Sequence, residues 1–128
     1  MIPRYRAWDK EFKEMVQVDA LVFEEQIIKA TYKNGNVVKK ELKNYVLMQS
    51  TGLTDKNGKE IFEGDILGTK DGLLDGIVKY NSDLGMWANS LLRYNNFERL
   101  CNVANSREII GNIWEDGELL DVEKTEEN

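Results

Sequence analysis

From Asp65 to Trp114 the chain reads as short strands punctuated by glycine and turn residues, and this constrains its fold more than any other feature. Asp65–Thr69, Gly76–Tyr80, Gly85–Ala88, Phe97–Leu100 and Ile109–Trp114 are the segments, with Ser106-Arg107-Glu108 a short turn before the last. Short strands at this spacing predict a small barrel or a tightly curled sheet.

The N-terminal part has a different texture. Arg4 to Trp8 alternates as a first strand behind Pro3, Asp9-Lys10 makes a turn, and Met15–Val18 is a second strand. Between Leu21 and Ile28 two patterns compete, because Leu21, Glu24, Glu25 and Ile28 have helical spacing while Ile27–Tyr32 alternates and is β-branched. Asn34-Gly35 is a hairpin signal, since both residues accept the positive φ of a type I′ turn, and it joins Ile27–Tyr32 to Val37–Glu41. Tyr45–Ser50 is a further strand, expected beside this hairpin or the N-terminal pair. Its nearly continuous apolar run suits a strand covered on both faces.

Composition restricts the chemistry. With 41% apolar and 31% charged residues, the 128-residue chain can build one core or two small ones, and wholesale disorder is disfavoured. There is no histidine, which removes imidazole-based triads and the usual cysteine–histidine zinc sites. Cys101 is the only cysteine, so no intrachain disulfide forms; beside Leu100, it is expected to be a buried structural thiol. No apolar run approaches the ~18 residues of a membrane span, and the basic start lacks the apolar core of a signal peptide. A cytoplasmic location is the default expectation.

The net charge of −6 is concentrated at one end. Residues 115–128 carry seven carboxylates against Lys124 alone, so residues 1–114 balance to zero. Tight non-specific binding of nucleic acid is therefore not expected, because the body has no positive excess to release counterions.

Glu63 and Asp65 flank Gly64 and would share one face of a strand, within reach of a hard cation together with Asp9 or Glu60. The simpler role is Asp65 holding local amides at a turn. Gly52, Gly58 and Gly64 do not have the order of a phosphate loop and fit tight turns better. Arg4, Arg6 and Trp8 alternate to give a positive face with an aromatic ring, against the plainer reading of a solvated strand pairing with carboxylates. Tyr80, Trp87, Tyr94, Phe97 and Trp114, with Lys79, Arg93, Arg99 and Arg107, are the material of a stacking platform or a protein-contact patch, but a small barrel needs such rings first of all to fill its interior, and that is the preferred reading.

Arg6-Ala7-Trp8-Asp9, Met48 to Leu53, Asp55 to Ile66 and Ile110 to Glu115 follow one another in an order and spacing that strongly resemble the YopX family of bacteriophage and prophage proteins. The resemblance covers about residues 4 to 120. It implies an α+β or mainly β chain: an N-terminal β-containing region (1–60) and an SH3-like small barrel (61–120). Residues 121–128, with too little apolar content to stay ordered alone, are expected to be an acidic flexible tail. Members of the family have no characterised activity, so the resemblance transfers no catalytic residue and implies no cofactor.

The function expected is that of a non-enzymatic phage accessory protein that binds itself or a phage or host protein, with strand edges open to added strands. Arg4, Arg6, Trp8, Tyr80, Trp87, Arg93 and Trp114 form the candidate contact set. A nucleic-acid-binding module is the alternative, and a metal-dependent nuclease a more distant one.

Overall fold

The alternating segments of the N-terminal part become strands in the computed structural model, which describes residues 4–124. The chain divides into two units, Met1–Ser50 and Thr51–Asn128. In the first, β1 (Tyr5–Asp9), β2 (Glu14–Val22), β3 (Ile27–Thr31), β4 (Val37–Glu41) and β5 (Tyr45–Thr54) lie in the order β4-β3-β2-β1-β5. The pairing of β5 resolves the alternatives: it lies antiparallel to β1, with Trp8 opposite Val46. Beyond Ser50, β5 continues into the second unit, where β6 (Glu60–Phe62) flanks it.

Tertiary pairing decides the Leu21–Ile28 ambiguity in favour of strands. Leu21 pairs with Ile28 and Val22 with Ile27 across a turn in which Gln26 takes a positive φ of 56°. As strands, these segments send Ile28 and Ala30 into a core with Ala7, Val16 and Tyr45. Burial of a side chain like Ile28 contributes about 2 kcal/mol.

The β3–β4 hairpin is present, but its turn is not type I′. Tyr32 N–H donates to Asn36 O at 2.9 Å and Gly35 N–H to Tyr32 O at 2.9 Å, and only Gly35, at φ +88°, is left-handed. This is the three-residue loop in which one glycine supplies the left-handed step. Asn34 instead offers its side-chain Oδ1 to the N–H of Asn36.

The second unit corrects the expectation of an SH3-like barrel. Here β7 (Asp65–Gly68), β8 (Gly76–Asn81), β9 (Met86–Leu91), β10 (Phe97–Arg99) and β11 (Glu108–Asn112) form an open antiparallel sheet in the order β10-β9-β8-β7-β11. The end strands β10 and β11 are not paired, so the sheet neither closes nor curls into a barrel. The cause lies between them. The segment expected to be a strand through Leu100 turns after Arg99 into a short helix, α1 (Leu100–Val103), and a 3-10 turn over Ala104–Ser106. Leu100 and Ala104 thereby enter the core of Ile61, Leu67 and Val78. Chain that would have extended a closing strand instead plugs that core.

Turn chemistry frames this sheet. Asp55 Oδ1 accepts from the N–H groups of Asn57 and Lys59, both at 2.9 Å, and its Oδ2 accepts from Ile109 N–H at 3.0 Å. One buried carboxylate thus ties a hairpin turn to β11. At the far end of β11, Asn112 Oδ1 accepts from the N–H groups of Trp114 and Glu115, and Asp116 Oδ2 accepts from Asn112 N–H. The acidic segment 121–128 is described only as far as Lys124; residues 125–128 lie outside the described residues.

Candidate functional site

The β1–β2 turn is organised by Asp9. Its Oδ1 accepts from the N–H groups of Glu11 (2.9 Å) and Phe12 (3.1 Å), fixing the turn that lifts Phe12 off the sheet. Its Oδ2 accepts from the Tyr32 hydroxyl at 2.5 Å, and the Tyr45 hydroxyl lies 2.6 Å from that of Tyr32. Because Tyr32 gives its proton to the carboxylate, Tyr45 is the donor to Tyr32. Burial pushes the Asp9 carboxyl up, but the Tyr32 hydroxyl, the Phe12 and Glu11 amides and the charge of Lys40 together hold it below the ordinary aspartate range. Burial, reinforced by the Asp9 and Tyr45 hydrogen bonds, pushes the Tyr32 hydroxyl strongly upward, so it stays a donor at neutral pH.

Above this buried chain opens a cleft of about 420 Å³ lined by Phe12, Glu14, Tyr32, Asn34, Asn36, Val38 and Lys40. Val38 and Lys40 pair with Ala30 and Ile28, which places them on the core-facing side of β4. The Lys40 ammonium lies 4.6 Å from the Phe12 ring centroid and 5.7 Å from that of Tyr32. Aromatic faces hold a cation without neutralising it. Phe12 is 60% exposed, and β4 is the end strand of its sheet, so the cleft adjoins an unpaired strand edge. Such a site offers a positive charge beside the Glu14 carboxylate, two ring faces and backbone groups ready to add a strand.

The sequence-derived contact set is distributed differently. Arg4 is exposed, Arg6 half-buried and Trp8 buried on β1, an interior strand between β2 and β5. In the second unit Tyr80 and Trp87 form a cross-strand pair, edge to face, with centroids 5.3 Å apart. Trp87 packs against the core and Tyr80 is 52% exposed. Arg93 lies half-buried in the β9–β10 loop, and Trp114 is partly exposed beyond β11. Cys101, expected to be buried, is exposed on α1 because the helix turns its neighbour Leu100 inward instead.

Asp65 has the simpler of its two roles: its Oδ2 accepts from Phe62 N–H at 2.8 Å across the Gly64 turn. Among the described residues no group of three or more cysteine, aspartate and glutamate side chains is placed to hold a metal ion. No helix among them is long and apolar enough to cross a membrane. The cleft itself was not apparent from the sequence, since Phe12, Tyr32 and Lys40 belong to three separate elements. The available signal was Asp9, a carboxylate at a strand end followed by a turn.

Comparison with known families matches residues 4–121 to the model described as YopX protein. The chain belongs to the YopX family. The crystal structure of protein EF1440 from Enterococcus faecalis is similar to this YopX-family chain, with 30% sequence identity and a TM-score of 0.64. The likeness covers 94% of this chain and 99% of that one. Comparison with curated proteins gives no match.

Proposed function

We propose that this YopX-family chain is a phage-derived, non-enzymatic accessory protein that acts by self-association through the edges of its sheets. The observation that carries this reading is the end position of β4, whose outer edge meets no strand among the described residues and adjoins the Phe12–Lys40 cleft. A free edge presents unpaired N–H and C=O groups, and a second chain satisfies them most economically by adding a strand. The open second sheet leaves β10 and β11 as further ends. A nucleic-acid platform has less support: Trp87 is spent on the core, and the body carries no net positive charge.

Light scattering over a concentration series, beside titrations with single- and double-stranded DNA and RNA at about 0.15 M salt, tests the reading. The expected mass exceeds that of the 14.8 kDa chain and rises with concentration, with no tight nucleic-acid binding. A strict monomer with sub-micromolar, salt-dependent nucleic-acid affinity overturns it.

A further inference from the structure

The chemistry of the β4 edge states what it accepts. Residues 29–43 contain five lysines and one glutamate, a local excess of +4 within a body whose total charge is zero. Lys43 pairs with Glu41 at 3.0 Å, whereas Lys39 and Lys40 have no ion pair among the described residues. These two lie on opposite faces of β4, Lys40 toward the cleft and Lys39 away from it. Antiparallel pairing of β4 with the same strand of a second copy, centred on the strand, would set Lys39 against Lys39, which is destabilising. An acidic strand meets no such repulsion at this edge.

We propose that the β4 edge and the Lys40 cleft take the acidic C-terminal segment of a second copy, residues 121–128, as an added strand; this rests on the self-association reading above. Charge and length both support that occupant. The last 14 residues hold the whole net charge of −6, opposite to the lysine excess around β4. Eight extended residues reach about 26 Å, enough to follow the roughly 17 Å of a five-residue strand. At a period of two, Asp121, Glu123 and Glu127 fall on one face of such a strand, and Val122, Lys124 and Glu126 on the other. With the first face toward the cleft, the only charges that meet Lys40 are carboxylates, and Glu126 lies on the Lys39 side together with Lys124.

The test uses the full chain in three variants measured by light scattering and sedimentation: E123Q/E126Q/E127Q, K39E/K40E, and K39E/K40E combined with E123K/E126K/E127K. Each of the first two is expected to weaken self-association about tenfold or more, with an unchanged circular-dichroism spectrum, and the charge-swapped third to restore it. An oligomer indifferent to both single sets, or a swap that restores nothing, overturns the tail-to-β4 contact while leaving self-association standing. A wild-type chain that is monomeric at every concentration overturns both. Nucleic-acid binding lost in K39E/K40E with the oligomer mass unchanged also overturns it, assigning the lysines to a different partner.

Discussion

Asp55 and Asp9 show how much of this fold hangs on single buried carboxylates that accept backbone N–H groups. Asp55 serves Asn57, Lys59 and Ile109, the last from 54 residues away. Burial pushes its carboxyl up, but the amides of Ile109, Lys59 and Asn57 and the charge of Lys59 together hold it below the usual range. Replacing Asp55 with Ala leaves three donors without their acceptor, and a loss of about 3 kcal/mol is expected in urea unfolding. D55A unfolding at the wild-type denaturant midpoint would sink this assignment. The sign of the pH effect follows from the depressed values. As pH falls below the ordinary aspartate range the unfolded chain takes up protons first, so stability present at neutral pH is lost on acidification through the folded-state values. The wild-type melting temperature should therefore drop steeply in acid, and D55A should show a shallower drop.

Elements in the second unit are joined by an ion pair that the open sheet needs. Arg107, just before β11, meets Glu98 on β10 through two contacts, Nη1 to Oε1 at 3.1 Å and Nη2 to Oε2 at 2.7 Å, with side chains only 9% and 20% exposed. Asn89 Nδ2 donates to the same Glu98 Oε1 at 3.1 Å. The two end strands of the sheet are thus linked by side chains where a barrel would have linked them by backbone. Removing one charge strands the other in a poorly solvated place. R107A should cost about 3–5 kcal/mol, while R107M/E98Q should recover part of that loss, since no charge is left unpaired and the amide oxygen at position 98 still accepts from Asn89. Thermal melts of the three chains check this; equal losses in single and double variants would assign the stability to shape rather than charge.

For the whole molecule, the separation of charge along the chain gives a salt signature to its association. If lysine–carboxylate attraction holds copies together, the dissociation constant should rise as salt increases, because the screening length shrinks from about 10 Å at 0.1 M to about 3 Å at 1 M. Sedimentation at several salt concentrations reads this directly. Association that tightens with salt would indicate that apolar surface carries the contact and that the acidic end is a bystander.

Local chemistry was legible without a structure. The Asn34-Gly35 and Asn57-Gly58 turns, the strand expected at Arg4–Trp8 and the turn role of Asp65 all depend on residues close together in the chain, and the family on the order and spacing of short motifs. Even there the turn subtype was decided by pairing: the Tyr32–Asn36 closure needs only one left-handed residue, and Asn34 is not it. What tertiary structure alone decided is whatever compares distant segments. Leu21 to Ile28 satisfies helical spacing as a string, but burying Ile28 and Ala30 against Ala7 and Val16 requires strands. Phe97 to Leu100 resembles a closing strand, but the vacancy beside Leu67 and Val78 draws Leu100 and Ala104 inward as a helical turn, and the sheet stays open. The cleft gathers Phe12, Tyr32 and Lys40 from separate elements, held by an aspartate whose tyrosine partner is 23 residues away. Where a turn falls depends on the dihedral preferences of neighbouring residues, so sequence encodes its position directly; turn subtype, closure, core filling and the cleft are set by non-local packing, where the lowest-energy choice for one segment depends on what another has already filled.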